Sequence, residues 1–426
     1  MSAAPATLAE RFNHDCDCAC TDLQTLQRRI DADLGRSEPG QSIVETHPHL
    51  FSETPVFLDP AEALAMQRIV ETVETVVRLP GFQRAAAGEA APIAHAPQYT
   101  LGVFTGFDFH LTSSGPRLIE INSNAGGAFL NVAARDAQRA CCRAAEEFLA
   151  DVPTTQRLEE DIFAMFLREW RLARGEQPLR SIAIVDENPG GQYLYPEFQL
   201  AQRLFRARGV TTLIVDPAEL AVDGGRLLAR GEPVDMVYNR LTDFYFHDPH
   251  NQALRTAYID NLAVVTPHPR AHALYADKKN LALLSDPQAL RGLGVNDEAA
   301  ELLARGVPRT RSVTGCEQGW WRERKDWFFK PRHGFGSRGA YRGDKLTRRV
   351  FGDVMSGQYM AQELTPPSQR WRTNGNGREA FKVDVRCYTY DGRVQLMAAR
   401  LYRGQATNFR TAGGGFAPVY VVGARD

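Results

Sequence analysis

Hydrophobic positions recur at helical spacing over residues 1 to about 100, and the pattern turns to strand alternation near Tyr99. Thr21 or Asp22 caps a helix running to about Leu34. Asp59-Pro60 opens a stronger one, whose apolar positions (Leu64, Ile69, Val70, Val73, Val76, Val77) end before Pro80-Gly81. The alanine- and proline-rich run from Ala85 to Pro97 reads as a linker or surface loop. Val103 to His110 alternates around Asp108, Ser113 to Pro116 is a turn, and Arg117 to Asn122 is a second strand, so the pair forms a hairpin. Period-two geometry puts Glu120 and Asn122 on one face and Ile119 and Ile121 on the other, buried one. Asn124 to Ala128 leads into an amphipathic helix through Ala133 to Ala150, and helical pattern returns from about Asp161 to Ala173.

From Ser181 the pattern becomes strand, helix, strand. Ile182 to Val185, Thr212 to Val215 and Val234 to Tyr238 are buried strands, with a helix from Pro196 to Arg208. Short connections of this kind imply a right-handed parallel sheet with its ligand edge at the strand ends. Asn239 and Arg240 stand at such an end and are candidate substrate contacts, as are Asp186, Glu187 and Asn188; a helix cap or a surface charge is the other reading of each. Residues 276–286 begin a helix. Trp327 to Phe329 is a short buried strand ending on Lys330, followed by a turn with glycines at 334, 336 and 339. A helical piece covers Arg348 to Ser356, and Phe381 to Tyr390 and Val394 to Tyr402 form a hairpin around Asp391-Gly392. On its first strand Lys382, Asp384 and Arg386 share one face, with Val383, Val385 and Cys387 on the other.

Length and charge narrow the classes. A chain of 426 residues is long enough for two or three domains. The formal net charge of −1 gives no global field toward nucleic acid or an acidic membrane, so any basic site is local. No apolar run approaches the length of a membrane span and the N-terminus has no hydrophobic signal segment, which points to the cytoplasm. The seven cysteines do not read as a secreted disulfide framework. Cys16, Cys18 and Cys20 follow His14 at a spacing tighter than structural zinc sites use, and are read either as metal ligands or as free thiols in a mobile terminal segment.

The chemistry concentrates in the last third. Lys330, Arg332 and Arg338 beside Gly334, Gly336 and Gly339 form a cradle for a polyanion, most simply nucleotide phosphates; a basic hairpin tip in solvent is the alternative. It is not a Walker loop, because the lysine precedes the glycines. Asp108, Glu120 and Asn122 converge on the front hairpin as oxygen donors suited to a hard cation such as magnesium, or as a solvated sheet face.

These pieces together resemble the ATP-grasp ligases, most closely the glutathione synthetase branch. The resemblance covers roughly residues 100–131 and 181–426. It implies an α/β and α+β chain: an ATP-grasp fold over 276–426, an α/β substrate domain over 179–275, and an N-terminal helical region over 1–98. Residues 99–178 then carry the hairpin with the metal ligands. That hairpin stands before everything else, where the family has it last, so the resemblance is to a circularly permuted member. It implies ATP and Mg2+ as cofactors, and a carboxylate and an amine, amino acid or peptide, as substrates joined through an acyl phosphate. A kinase of the same fold, or a nucleotide-binding protein without turnover, is the alternative. No nucleic acid or membrane partner is implied, while the family's frequent dimers make a homodimer an expectation. Lys278 and Lys330 match the ATP lysines. His333, Gly334, Gly336, Ser337 and Gly339 match the loop over the triphosphate; Gln362, Glu363 and Leu364 match the hinge for adenine and ribose. Asp384 with Arg386 resembles the family's Asp-x-Arg pair, and Arg400 a further arginine. Arg386, Arg400 and Arg410 are thereby candidate catalytic residues. Asn408, Gly413 and Gly414 look like its asparagine-glycine loop beside the substrate. A strict two-residue turn at Asp391-Gly392 would set Arg400 on the wrong face, so a three-residue loop with a bulge is expected there.

Overall fold

The computed structural model describes residues 7–35, 42–138, 153–315, 317–334, 339–374 and 377–423. A central antiparallel sheet draws on both ends of the sequence. The front hairpin, Thr105–Thr112 and Gly115–Asn122, lies beside the tail hairpin, Gly377–Tyr390 and Arg393–Tyr402, through pairing of Thr105–Thr112 with Gly377–Tyr390. Gly415–Ala417 adds a strand beyond Arg393–Tyr402, and Ser368–Asn374 pairs with the start of Gly377–Tyr390. One face of this sheet buries Phe107, Phe109, Leu118, Val383, Val385 and Leu401 against the helix Pro60–Val77. That helix begins with an Asp59–Glu62 capping box and buries Met66, Ile69, Val70, Val73, Val76 and Val77. Leu64 falls off this stripe and is exposed.

Two bulges change what strict alternation implies. In the front hairpin Asp108 pairs with Glu120 and Phe109 with Leu118, leaving Ile119 as the extra residue. Ile119 is therefore not on the buried face; Leu118 and Ile121 fill the core, and Ile119 stands with Glu120 on the cleft side. The tail hairpin turns tightly, Tyr390 opposite Arg393, with Asp391 and Gly392 at φ of 53° and 74°. The expected three-residue loop is absent. Instead Tyr388 pairs with Leu396 and Thr389 with Val394, and the extra residue, Gln395, brings Arg400 opposite Asp384.

Two other sheets flank the centre. Val264–Thr266, Met236–Asn239, Ser181–Val185 and Thr211–Val215 form an all-parallel sheet in that order, covered by Thr155–Arg174 and Tyr195–Ala207. A small antiparallel sheet runs Thr310–Ser312, Tyr359–Glu363, Trp327–Pro331, Tyr341–Arg342 over a core of Trp320, Trp327, Phe329 and Phe351.

The N-terminal region is woven into this framework: Val56–Leu58 pairs in parallel with Val419–Val421. The stretch read as a linker is ordered. Pro80–Ala87 is a helix and Pro92–His95 a 3-10 turn, whose Ile93 and Ala94 pack into the core beneath the parallel sheet. Small alanines permit that close approach. Cys20 is likewise packed, with Ala9, Phe57, Tyr420 and Val422, so the thiol segment is not a loose terminus. Among the described residues Cys16 and Cys387 are in no disulfide. Of the helix expected through residues 133–150, Ala128–Ala133 is helical and Ala134–Ala137 is a 3-10 turn; residues 139–152 lie outside the described ones. Among the described residues no helix is long and apolar enough to cross a membrane.

Candidate active site

A cleft of about 800 Å³ lies between the small sheet and the open face of the central sheet. Lys330 enters it from the end of Trp327–Pro331. Its Nζ donates to the carbonyl oxygen of Ile119 at 2.8 Å and to Gln362 Oε1 at 2.9 Å. The front bulge thus exposes the carbonyl that anchors a lysine from the last third of the chain. Lys278, just ahead of the helix Asn280–Leu284, donates to the Gly334 carbonyl at 2.6 Å and pairs with Glu120 at 3.2 Å. Burial pushes the Lys330 ammonium down to about 8, against the pull of Glu120. Burial also opposes the charge of Glu120, but Lys278 and Lys330 outweigh it and hold the carboxyl below its ordinary range.

Deeper on the sheet, Arg386 grips Asp108 with two bonds, Nε to Oδ1 at 2.6 Å and Nη2 to Oδ2 at 2.7 Å. Arg400 bridges Asp108 Oδ2 at 2.9 Å and Asp384 Oδ1 at 2.6 Å, and the Thr407 hydroxyl donates to Asp384. Burial alone would raise Asp108; the two guanidinium groups overcome it and hold the carboxyl well below the carboxylate range. Removing one member of such a buried network leaves an uncompensated charge. The cleft is lined by Lys278, Lys330, Arg386, Arg400 and Arg410 against Asp108, Glu120, Glu363 and Asp384, so positive charge is in excess before an anion enters.

A second compartment of about 320 Å³ opens from the first and shares Asn122, Lys278, Arg386 and Arg400 with it. Its far wall is the carboxyl end of the parallel sheet. There Arg240 donates to the Tyr238 hydroxyl at 3.2 Å and to the Asn124 side chain. Asp186 lines the same wall, its carboxyl pushed up to about 7 by burial against the pull of Arg240. Glu197, fully buried, accepts the Gly127 amide and so fixes the loop whose Gly126 carbonyl receives the Tyr388 hydroxyl at 2.8 Å.

The structure gathers Asp108, Glu120, Asn122, Lys278, Lys330, Gly334, Gln362, Glu363, Leu364, Asp384, Arg386, Arg400, Asn408 and Arg410 around the larger cleft, and Arg240 around the smaller. Other sequence candidates stand apart. Asn239 is buried behind Arg240, donating to the Pro267 carbonyl at 3.1 Å and accepting the Leu241 amide at 3.1 Å. Gly413 and Gly414 turn the chain behind the wall, where Ser52 donates to the Gly413 carbonyl at 2.8 Å. His333 and Gly339 flank the glycine loop without lining the cleft; Gly336, Ser337 and Arg338 lie outside the described residues. Arg332 does not join the cradle: it turns to Asp277 at 3.1 Å and Glu89 at 2.9 Å. Glu187 and Asn188 are exposed beyond the compartment. Sequence reasoning passed over His110, Thr407 and Tyr193, all of which line the larger cleft. Alternation from Asp108 was a signal for His110; the other two sit on irregular backbone with no period to read.

Among the described residues no set of three or more His, Cys, Asp or Glu side chains converges as a metal site. The oxygen set here is two carboxylates and an amide, donors that suit magnesium, which keeps other positions for phosphate oxygen and water. Glu120 and Asn122 fit, since both face the cleft. Asp108 is nearest them, with Asn122 Nδ2 at 3.1 Å from its Oδ2, yet both its oxygens already serve the two arginines.

No family model and no curated protein matches the chain. Among solved structures, a glutathione synthetase-like effector from Globodera pallida is similar at 10% identity over 94% of this chain and 98% of that one, with a TM-score of 0.57. A putative gamma-glutamylcysteine synthetase from Methylobacillus flagellatus is similar at 11% identity over 81% of this chain and 83% of that one, with a TM-score of 0.45. The ATP-grasp ligase PsnB, solved with minimal precursor, Mg and ADP, is similar at 18% identity over 56% of this chain and 87% of that one, with a TM-score of 0.29. Of these three the first matches over nearly the whole length of both chains. The chain has the fold of that glutathione synthetase-like effector.

Proposed function

We propose that the protein is an ATP-dependent ligase that joins a carboxylate to an amine through an acyl phosphate, releasing ADP and phosphate. The observation that carries this reading is the contact between Lys330 and the front hairpin: Nζ lies 2.8 Å from the Ile119 carbonyl, beside Glu120. Phosphate-binding lysines and metal-binding oxygens from distant parts of the chain therefore share one cleft. The adjacency of Thr105–Thr112 and Gly377–Tyr390 also supports circular permutation, the front hairpin being the family's terminal hairpin moved forward.

Lys278 and Lys330 bind the phosphates of ATP and offset their charge. Glu120 and Asn122 would hold magnesium, which would supply charge neutralisation at the phosphates when bound. Arg386 and Arg400, oriented by Asp108 and Asp384, stabilise the transferring phosphoryl group and the tetrahedral intermediate. The smaller compartment receives the acyl substrate, with Arg240 facing a carboxylate and Asp186 an ammonium group; its carboxylate to be activated then lies at the border marked by Arg386 and Arg400. Arg410, at the outer wall, orients the second substrate. The test is an ADP-release screen over paired acids and amines drawn from amino acids and short peptides. Phosphate release that requires both partners supports a ligase. ADP formation with the acid alone and a stable phosphorylated product indicates a kinase. No nucleotide turnover with any pair contradicts the proposal.

A further inference from the structure

We propose that His110 is a nucleotide-specificity residue: its Nε2 accepts a hydrogen bond from a ribose hydroxyl, beside Glu363. This rests on the nucleotide reading of the larger cleft. His110 lies two residues beyond Asp108 on Thr105–Thr112 and lines that cleft. Its Nδ1 is 2.7 Å from the carbonyl oxygen of Thr365. A carbonyl only accepts, so Nδ1 carries the proton, and in the neutral ring the lone pair is on Nε2. Thr365 follows Tyr359–Glu363 and Leu364, so this bond ties the central sheet to the end of the hinge. Glu363 lines the same stretch; it is 47% exposed, and its ion pair to Arg117 is long at 3.6 Å. Arg117 is in turn the cross-strand partner of His110, which sets the three side chains at one corner.

That corner offers two acceptors, a carboxylate and an imidazole nitrogen. A vicinal diol presents two donors and matches it; a purine edge, with mixed donors and acceptors, does not require it. Ribose lies between base and phosphates in any nucleotide whose phosphates reach Lys278 and Lys330.

The experiment is calorimetric titration of ADP, 2′-deoxy-ADP and 3′-deoxy-ADP, each with magnesium, into wild type, His110→Ala and His110→Gln, with melting temperature measured alongside. One hydrogen bond corresponds to about a tenfold change in Kd. Wild type is expected to bind ADP about tenfold more tightly than one of the two deoxy analogues. His110→Ala should lose that preference while binding the same analogue as wild type does, and His110→Gln, whose amide oxygen still accepts, should retain part of it. Equal weakening of all three ligands in His110→Ala, or none, overturns the proposal. Failure of wild type to bind any of them overturns the nucleotide reading beneath it, a separate result.

Discussion

The two hairpins that meet in the central sheet each carry one bulge, and the bulges do different work. In the front hairpin the extra residue, Ile119, sits at the cleft, and its backbone carbonyl receives Lys330. In the tail hairpin the extra residue, Gln395, is remote from the cleft and acts only through register, turning Arg400 to the side of Asp384 and Asp108. One bulge supplies a contact; the other decides which face a distant side chain occupies. A strand can therefore be read correctly for composition and wrongly for facing, because one inserted residue reverses every side chain beyond it.

The largest expected effect comes from the front hairpin. Glu120→Ala should lower magnesium-dependent ADP formation by about a hundredfold or more. Steady-state rates across a magnesium series, with circular dichroism melting as the control for folding, check this. Normal turnover in that variant would separate the front hairpin from the chemistry. For the tail hairpin, Arg400→Ala should cost about a hundredfold in turnover, since Arg400 bridges Asp108 and Asp384 on the cleft face. Gln395→Ala should stay within about twofold, because it keeps the register and removes only a side chain whose Oε1 is buried without a partner. Equal loss in both variants would mean that the Gln395 side chain does more than fill the bulge.

A smaller effect follows from Lys330. Its pKa of about 8 in the free protein rises when phosphate binds, so nucleotide binding takes up a proton above that pH. Affinity for ADP should be fully present below pH 8 and fall as pH rises through it, by up to about tenfold per pH unit. Titrations at pH 7 and 9 in buffers of different ionisation enthalpy report both the loss and the proton uptake. Lys330→Arg, which stays charged, should flatten the profile. A similarly small effect belongs to Ile119→Ala. The contact uses the backbone carbonyl, so KM for ATP should change by less than about threefold.

Much of this arrangement was legible in the sequence. The Asp59-Pro60 helix start, the alternating faces of residues 381–387, and the strand ending on Lys330 follow from periodicity and caps. The polar residues that converge were found where an element had a regular period or a motif the family shares. What escaped lies on irregular backbone. Ile119 and Gln395 are bulges set by pairing with partners distant in sequence. Arg332 has the composition of a phosphate ligand, but Asp277 and Glu89 claim it, and neither is near it in sequence. Ala85 to Pro97 has the composition of a linker and is packed because Ile93 meets a core that only the tertiary fold supplies.

The central claim is that acidic ligands from residues 108–122 complete a nucleotide site built by residues 278–400. A crystal structure of the protein with Mg·ADP tests it most directly. The account predicts ADP phosphates within hydrogen-bonding distance of Lys278 and Lys330, with the metal on Glu120. Nucleotide bound elsewhere, or bound there with the metal away from Glu120, would contradict it.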